Sequence, residues 1–269
     1  MEDESQNINI PKTIHYCWLS GDKMPSDMKI CIDSWKKYMP EYKLVLWDMN
    51  KFDINSHLFV KEACQVKKWA FASDYIRLYA LYTEGGVYLD TDVYVKKSLN
   101  DFLGNGFFTG VEYHEGFVKN GAHLLNEDGT LRNKGEIFTH GIQIQAAILG
   151  GVKGHPFLRD CLDWYNGKHF ISDDGGYCDN LISPYIYAHV ATEYGFRYKN
   201  ELQKLKNNMT VYPTSVFAGS LAQSGEDTYA VHRCDGTWRG KRYKILWWLK
   251  KNRFLRMLFG KKKLEKHAS

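Results

Sequence analysis

Two aspartates, Asp90 and Asp92, follow a short apolar run in the stretch GGVYLDTDV, residues 85–93. Two carboxylates this close repel each other unless a positive charge lies beside them. A divalent cation supplies such a charge, and carboxylate oxygens are ligands that Mg²⁺ and Mn²⁺ prefer. A cation held in this way can bind the phosphates of a substrate. Solvated turns also contain such pairs, so the pair by itself does not establish a site.

A predicted helix upstream, residues 68–83, adds a second charged pair. Asp74 and Arg77 are three residues apart in it, so they lie on the same face of the helix. Asp74 could accept a hydrogen bond from a ribose hydroxyl. Arg77 could bind a diphosphate or a sugar hydroxyl through its planar guanidinium group. A salt bridge within the helix is the alternative interpretation.

Strands and helices alternate in the part of the chain that leads to the aspartates. Apolar, β-branched and aromatic runs predict three strands, and apolar residues at helical spacing predict two helices. Ser26 is the expected N-cap of the first helix, and Pro40 ends it. This order is typical of a largely parallel sheet with helices on its faces, where ligands bind at the carboxyl ends of strands. The predicted strands are residues 13–19, 43–47 and 87–89, and the predicted helices are residues 26–38 and 68–83.

The segments after residue 103 have weaker patterns. Residues 104–133 are rich in Gly, Asn and Glu, which predicts loops with a hairpin. Residues 172–179, SDDGGYCD, are expected to form a polar loop. Further helices are predicted at residues 141–149, 157–165 and 181–193, and further strands at residues 211–213 and 229–232.

Composition limits the class of protein. The 269 residues are 44% apolar, which fits one α/β domain or two small ones. Six cysteines are present, and no two of them have the CxxC spacing of a zinc cluster, so free thiols in a reducing compartment are expected. The first ten residues are acidic and polar, and no run of 18 apolar residues occurs. We therefore expect a cytoplasmic protein without a signal peptide or a transmembrane helix.

The carboxyl-terminal segment, residues 239–269, differs in charge from residues 1–238. It contains twelve Lys and Arg residues and one acidic residue, a charge of +11, whereas the net charge of +5 for the whole chain leaves −6 for the remainder. Trp247 and Trp248 lie among these basic residues, a combination that a bilayer interface favours. We expect this tail to bind the inner face of the cell membrane. A helix packed on the body is the main alternative, and nucleic acid is the least favoured partner.

Four segments carry a resemblance to a known family. They read IPKTIHYCWLSG, LWD, FASDYIRLYALYTEGGVYLDTDV and VHRCDGTW. Together they resemble the glycosyltransferases with a DxD-containing sugar-binding region. That family includes yeast-type initiating mannosyltransferases and bacterial surface-polysaccharide enzymes, and the glucosylating domains of large clostridial cytotoxins are more distant relatives. The resemblance is dense over residues 10–103 and thinner as far as residue 238.

The resemblance implies a GT-A fold over residues 1–238. This is a Rossmann-like, mostly parallel sheet flanked by helices, which binds a nucleotide-sugar together with Mn²⁺ or Mg²⁺. The catalytic residues would be Asp90, Asp92 and Arg77. The metal ligands would be Asp90, Asp92 and His232, although a polar core histidine is the alternative for His232. The donor-binding residues would be Trp18 against the nucleobase, Asp74 and Arg77 at the ribose and sugar, Tyr88, Asp90, and Trp238 over the diphosphate.

Three positions depart from the pattern of the family. An asparagine that many relatives carry is absent from the stretch THGIQIQ, where His140 or Gln143 would take its place. Ser183 precedes Pro184 where relatives usually have glycine, and Thr237 replaces a serine but keeps a hydroxyl group. The first two changes fall where the acceptor and the donor hexose should lie. The sequence therefore leaves the donor sugar open.

The activity implied by the resemblance is that of a metal-dependent, retaining glycosyltransferase. It would move a hexose or N-acetylhexosamine from a nucleotide-sugar, with uridine as the expected base, to a glycan acceptor. The expected acceptor is a lipid-linked capsular, exopolysaccharide or surface-glycan precursor. Asp173, Asp174 and Asp179 are candidates for contacting it, and a solvated acidic turn is the alternative. The other classes that fit are a metal-dependent nucleotidyltransferase or phosphohydrolase, and a non-catalytic nucleotide-sugar-binding module.

Overall fold

A mixed α/β architecture is present in the computed structural model, which describes residues 9–137, 139–180 and 182–233. The strands are β1 Thr13–Cys17, β2 Lys43–Trp47, β3 Gly86–Leu89, β4 Val93–Val95, β5 Phe107–Tyr113, β6 Ile142–Gly151, β7 Gln203–Leu205, β8 Met209–Tyr212, β9 Phe217–Ala218 and β10 Ala230–His232. The α-helices are α1 Ser26–Tyr38, α2 Leu58–Gln65, α3 Trp69–Glu84, α4 Glu115–Gly121, α5 Pro156–Asp163 and α6 Ser183–Thr192.

Within the described residues, seven strands form the central sheet in the order β2-β1-β3-β6-β5-β8-β7. The pairs β1–β2, β1–β3 and β5–β8 are parallel, and the pairs β3–β6, β5–β6 and β7–β8 are antiparallel. Only β6 and β7 therefore run against the other five described strands of this sheet. A second described sheet has the order β4-β10-β9. The predicted fold class, α/β with a central sheet flanked by helices, is confirmed.

The two faces of the central sheet belong to two separate cores. Successive side chains of a strand point to opposite faces, so Val87 and Leu89 pack with α1 and the small sheet, whereas Tyr88 packs with the helices of the opposite face. Phe107 and Phe108 on β5 divide in the same way. Helices α2, α3, α5 and α6 contribute to the core that contains Tyr88. The sheet is thus covered on both faces, as a largely parallel sheet requires.

The elements before the aspartates agree with the sequence prediction. Strand β2 and helix α1 have the predicted bounds, and α3 and β3 begin within one residue of them. The prediction that Ser26 caps α1 is wrong. The residue before the helix is Pro25, no side chain caps it, and Ser26 is already the first helical residue.

The predicted helix at residues 141–149 is wrong, because this segment is strand β6. Its residues Ile142, Gln143, Ile144 and Gln145 alternate with a period of two, which is the spacing of a strand. All ten residues of β6 are buried, since the strand lies between β3 and β5. A fully buried strand forms a long apolar run that resembles a helix in composition.

The prediction of loops over residues 104–133 is also wrong for its first part. Residues Phe107–Tyr113 form β5, whose first five residues are buried in the middle of the sheet. The prediction missed this strand because the short FFTGV run is part of a longer stretch that is rich in Gly, Asn and Glu. The predicted helix at 157–165 is confirmed as α5, and the one at 181–193 as α6.

Strand β6 bulges away from β5 beside the aspartates. Thr109 pairs with Leu149 but Val111 pairs with Ile144, so β6 has extra residues between these two pairs. The Thr109 hydroxyl donates to the carbonyl oxygens of Gln145 and Ile148, at 3.2 and 2.9 Å, and so occupies the bulge. Bulges of this kind redirect backbone and side-chain groups next to functional sites.

The turn from α3 into β3 requires glycine at two positions. Gly85 and Gly86 have φ values of +69° and +120°, which residues with a Cβ rarely adopt. A Cβ on Gly86 would lie 2.7 Å from the Thr13 oxygen and 3.0 Å from Nε2 of His15. His15 is fully buried, accepts from the Trp47 indole at Nδ1, and donates from Nε2 to the Gly85 oxygen at 2.8 Å. Burial lowers the pKa of His15, so the ring is neutral.

Replacing Gly86 by alanine is expected to lower the free energy of unfolding by about 2 kcal/mol, because the new methyl group overpacks a rigid backbone and a buried ring. Guanidinium unfolding followed by far-UV circular dichroism measures the change. Gly104→Ala is the matched control, since no atom lies within 4 Å of the position of its Cβ. We expect Gly104→Ala to change stability by less than about 0.5 kcal/mol. Equal effects of the two substitutions would contradict the steric argument.

The tail from residue 239 and the boundary predicted at residue 238 lie outside the described residues. Both therefore stay predictions. Among the described helices, none combines the length and the apolar character needed to cross a membrane. The described cysteines, Cys17, Cys31, Cys64, Cys161 and Cys178, are free thiols, as predicted.

Candidate functional site

Three side chains that could bind a metal converge at the carboxyl end of β3. Asp90 directly follows β3, Asp92 precedes β4, and His232 ends β10. Strands β4 and β10 pair antiparallel, with His232 opposite Val93. The Arg233 amide also donates to the Asp92 carbonyl oxygen at 3.1 Å. This pairing brings His232 to the two aspartates across about 140 residues of sequence.

The distances and atom types of this cluster fit a divalent cation. One ligand atom from each of Asp90, Asp92 and His232 can be chosen so that all three lie within 4.8 Å of one another. Nε2 of His232 is 3.4 Å from Oδ1 of Asp92. The three side chains are between 14% and 25% exposed, so solvent reaches them. Two carboxylate oxygens and one imidazole nitrogen suit Mn²⁺, and Mg²⁺ with more difficulty because it prefers oxygen ligands.

Arg77 is a buried cation that joins the two acidic groups of the site. Its Nη2 lies 3.0 Å from Oδ1 of Asp74 and 3.4 Å from Oδ1 of Asp90. Nη1 donates to the Ala146 carbonyl oxygen at 2.6 Å, and Nε donates to the Ser73 carbonyl oxygen at 3.2 Å. Burial acts to lower the pKa of Arg77, but the opposite effect of Asp90, Tyr88 and Asp74 is larger. The pKa of Arg77 is therefore raised, and the side chain stays charged. Arg77 therefore forms the salt bridge within the helix, with Asp74, and also contacts Asp90 of the acidic motif.

The bulge in β6 is what makes the Arg77 contact geometrically available. It turns the Ala146 carbonyl oxygen toward Arg77, and it lets the Ala147 carbonyl oxygen accept from the Asp90 amide at 2.9 Å. Sequence reasoning missed both residues, because apolar side chains give no indication of what their backbone carbonyl groups bind. Both carbonyl groups belong to β6, which pairs with β3 up to Leu89, the residue before Asp90.

Tyr88 supports Asp90 and Arg77 together. Its hydroxyl donates to Oδ1 of Asp90 at 3.0 Å, and the Arg77 guanidinium lies 4.9 Å from the centre of its ring. Burial raises the pKa of Tyr88, so the phenol stays protonated and remains a donor. Burial also raises the pKa of the nearby Cys17 thiol to about 12, which keeps that sulfur neutral. Tyr88 thus orients the carboxylate, and Cys17 offers no thiolate.

Trp18 lies at the same edge of the sheet, directly after β1. Strand β1 is parallel to β3, so the carboxyl ends of both strands meet there. The Trp18 amide donates to the Trp47 carbonyl oxygen at 3.0 Å, and its indole donates to the Asp22 carbonyl oxygen at 2.7 Å. The ring is half-buried. Its role against a nucleobase stays a prediction, and Trp238 and Thr237 lie outside the described residues.

The residues expected at the acceptor and sugar positions have different environments. His140 is exposed, whereas Gln143 is buried on β6 and donates to the Thr139 carbonyl oxygen. Residues 172–179 form the predicted polar loop, in which Asp174 accepts from the Ser172 hydroxyl. Asp179 pairs with Lys68 at 3.3 Å. Of the candidate acceptor residues, Asp179 therefore lies next to the residue that precedes α3, the helix that also carries Asp74.

Asp74 is a buried carboxyl group, and burial raises its pKa from 3.8 to about 6. A carboxyl group whose pKa is higher in the folded state stabilises folding fully below about pH 4, and this contribution is lost as the pH rises through about 6. We expect metal-free wild-type protein to lose about 3 kcal/mol relative to Asp74→Asn between these limits, since one pKa unit is worth about 1.4 kcal/mol. Urea unfolding in EDTA at a series of pH values measures the difference. The exposed variant Asp33→Asn is the control, and parallel pH profiles for wild type and Asp74→Asn would contradict the expectation.

Comparison with known proteins gives a family for the region that contains most of these residues. Residues 25–108 match the model of the glycosyltransferase sugar-binding region containing DXD motif. An uncharacterized glycosyltransferase of Acanthamoeba polyphaga mimivirus is 32% identical over 105 residues, 37% of this chain and 42% of that protein. Inositol phosphoceramide mannosyltransferase 3 of Schizosaccharomyces pombe is 27% identical over 161 residues, 57% of this chain and 36% of that protein. The matches thus span less than half the length of either relative.

Solved structures of glycosyltransferases are among those to which the chain is similar. The PaToxG glycosyltransferase has a TM-score of 0.46 at 18% identity, with 69% of this chain and 70% of that chain covered. Mouse xyloside xylosyltransferase 1 has a TM-score of 0.46 at 10% identity, with 84% of this chain and 98% of that chain covered. The family predicted from the sequence segments is confirmed by the matching family model. The matched residues, 25–108, include Asp74, Arg77, Asp90 and Asp92, so the charged helix and the acidic motif both lie in the part of the chain that is similar to the glycosyltransferase sugar-binding region containing DXD motif.

Proposed function

We propose that this protein is a metal-dependent glycosyltransferase of GT-A type that transfers a hexose or N-acetylhexosamine from a nucleotide-sugar to a glycan acceptor. The observation that carries the proposal is the convergence of Asp90, Asp92 and His232 within 4.8 Å at the end of β3. Two of these residues form the DXD motif of the matched region.

The side chains of this chain would divide the work. Asp90, Asp92 and His232 would hold Mn²⁺ or Mg²⁺. When bound, the cation supplies positive charge that stabilises a leaving diphosphate. Arg77 and Tyr88 hold Asp90 in place, since both contact its Oδ1. Trp18 and Asp74 would bind the nucleobase and the ribose or sugar, and Trp238 would close over the diphosphate.

Retention of the anomeric configuration is part of the proposal. It requires the acceptor hydroxyl to enter on the face from which the diphosphate leaves. The chain then needs to hold donor and acceptor in contact rather than to supply a nucleophile. Asp173, Asp174 and Asp179 are the proposed acceptor contacts, because their loop joins the start of α3 through the ion pair between Lys68 and Asp179.

The substrate classes follow by analogy with relatives. The name of the Schizosaccharomyces pombe relative describes a mannosyltransferase for inositol phosphoceramide. That name indicates transfer of a hexose to a lipid acceptor. We propose a UDP-sugar as the donor here. The proposed acceptor is a lipid-linked precursor of a capsular, exopolysaccharide or other surface glycan.

Donor hydrolysis is the first test. Purified full-length protein is incubated with Mn²⁺ and each of a panel of UDP- and GDP-sugars, and products are separated by ion-exchange chromatography. A glycosyltransferase releases nucleoside diphosphate and free sugar from one donor, and EDTA prevents the release. Proton NMR of the sugar as it forms gives its anomeric configuration. Release of nucleoside monophosphate with sugar 1-phosphate would instead identify a phosphohydrolase. The proposal would be rejected if no donor were hydrolysed and calorimetry also detected no Mn²⁺-dependent nucleotide binding.

The location of the protein is a further part of the proposal. We place it in the cytoplasm, at the inner face of the cell membrane, through the basic and aromatic residues 239–269. Each Lys or Arg near an anionic leaflet contributes about 1 kcal/mol. Sedimentation with vesicles that contain anionic lipid should be strong for the full chain and lost when residues 240–269 are removed. Unchanged sedimentation of the shortened chain would reject the membrane role of the tail.

A further inference from the structure

The strand that directly follows Asp92 is a short edge strand. β4 has three residues and pairs only with β10 among the described strands. Val93 lies opposite His232 in this pairing, and the Arg233 amide donates to the Asp92 carbonyl oxygen at 3.1 Å. In an antiparallel pair, the residues on either side of such a bonded pair direct their own N–H and C=O groups away from the partner strand. The outer edge of β4 therefore presents backbone groups of Val93 and Val95 that β10 cannot satisfy.

Two adjacent side chains of α1 complete this outer edge. The Trp35 indole donates to the Val93 carbonyl oxygen at 2.8 Å, and the Val95 amide donates to the Ser34 hydroxyl at 3.0 Å. Both side chains are buried, and Trp35 is 0% exposed. Covering an edge with a helix is one way in which proteins satisfy the groups of an edge strand. Helix α1 thus takes the place that a further strand would occupy beside β4.

The residue that Trp35 holds is next to two of the candidate metal ligands. Asp92 precedes Val93 in the chain, and His232 lies opposite Val93 in the ladder. A strand of three residues has few ladder hydrogen bonds of its own to keep it in place. A shift of β4 relative to β10 would change the distance between Oδ1 of Asp92 and Nε2 of His232, which is 3.4 Å. Metal sites require their ligands at well-defined distances, so such a shift would weaken the binding of a cation.

We infer that Trp35 is a positioning residue for the metal site: together with Ser34 it fixes the outer edge of β4 and so holds Asp92 in register with His232. The inference rests on the proposed function, which it deepens by assigning the alignment of these two ligands to helix α1. Trp35 is fully buried, so it acts through the backbone of Val93 and not by contact with the cation or the nucleotide-sugar.

Calorimetric titration of the full-length protein with Mn²⁺, in the presence of UDP and separately of GDP, tests the assignment. Trp35→Phe keeps an aromatic ring in the core but removes the indole donor. We expect this variant to bind Mn²⁺ about 10-fold more weakly than wild type, because losing a group that orients metal ligands typically reduces affinity by about 10–100-fold.

Trp47→Phe is the matched control. Trp47 is 3% exposed, and its indole also donates one buried hydrogen bond, to Nδ1 of His15 at 3.0 Å. Guanidinium unfolding in EDTA should therefore show comparable losses of stability for Trp35→Phe and Trp47→Phe. Only Trp35→Phe should lose affinity for Mn²⁺, since the Trp47 indole does not contact β4.

A smaller substitution, Ser34→Ala, tests the same edge without changing an aromatic ring, and it decides alone if Trp35→Phe does not fold. It should weaken Mn²⁺ binding about fivefold, the equivalent of one hydrogen bond. Wild-type affinity for Mn²⁺ in both Trp35→Phe and Ser34→Ala would reject the assignment. An equal loss of affinity in Trp35→Phe and Trp47→Phe would also reject it, because the effect would then come from a general loosening of the core. Absence of Mn²⁺ binding by wild type with either nucleotide would instead reject the proposed metal-dependent function.

Discussion

Replacing Asp92 by asparagine is expected to reduce donor turnover by roughly 10³-fold and to abolish Mn²⁺-dependent nucleotide binding. The side chain keeps its size, and the amide oxygen can still lie 3.4 Å from His232, so the fold is retained. What is lost is one of two negative charges in the cluster of Asp90, Asp92 and His232. A metal contributes several kcal/mol to stabilisation of a developing charge, and each 1.4 kcal/mol is about tenfold in rate.

The measurement combines donor turnover with a calorimetric Mn²⁺ titration in the presence of UDP. Asp33→Asn is the matched control, because Asp33 is an exposed carboxylate on α1 whose partner is Lys36. It should behave as wild type in both experiments. If Asp92→Asn retained metal-dependent nucleotide binding within a few-fold of wild type, Asp92 would not be a metal ligand, and the proposed mechanism would lose its central group.

Replacing Arg77 by methionine is expected to lower the free energy of unfolding by about 4 kcal/mol. The Arg77 side chain is 5% exposed, and it pairs with Asp74 and Asp90 while it also satisfies the Ala146 carbonyl oxygen. Removing it leaves two carboxylates without their cation and one buried carbonyl without a donor. Removing one partner of a buried ion pair costs about 3–5 kcal/mol, because the remaining charge is uncompensated.

Guanidinium unfolding in EDTA measures this loss. Arg159→Met is the control, since Arg159 pairs with Asp160 at the surface, and surface ion pairs contribute about 0–1 kcal/mol. Mn²⁺ should restore part of the stability of Arg77→Met, because a cation bound at Asp90 replaces some of the lost positive charge. A small loss for Arg77→Met, similar to that of Arg159→Met, would show that the buried network does not stabilise the fold. Absence of any effect of Mn²⁺ would separate the network from the metal site.

The correct sequence predictions concern elements whose signals are local. Helix α3 ends at two glycines that must have positive φ, so its end is marked in the sequence itself. Helix α1 and strand β2 have the predicted bounds for a similar reason, because proline and polar residues flank periodic or apolar runs. The errors at β5 and β6 concern strands in the middle of the sheet. Burial on both faces removes the alternation by which a strand is recognised.

The same division applies to the candidate site. Asp90 and Asp92 are two residues apart, and Asp74 and Arg77 are three residues apart on one helix, so local geometry alone brings each pair together. The sequence by itself therefore determined the acidic motif, its charged helix and, through their combination, the family of residues 25–108. It also suggested His232, but only through the resemblance.

Only the tertiary structure decided how these pairs are joined to one another. The contact of His232 with Asp92 depends on the register between β10 and β4, and the contact of Arg77 with Ala146 depends on a bulge in β6. The contact of the Tyr187 hydroxyl on α6 with the Asp74 carbonyl oxygen depends on how α6 packs on α3. Such contacts link residues 70 to 140 positions apart, roughly, and are fixed by strand pairing and helix packing over the whole domain. No local spacing records them, because the side chains that meet are selected by the register of the sheet rather than by their neighbours in the chain.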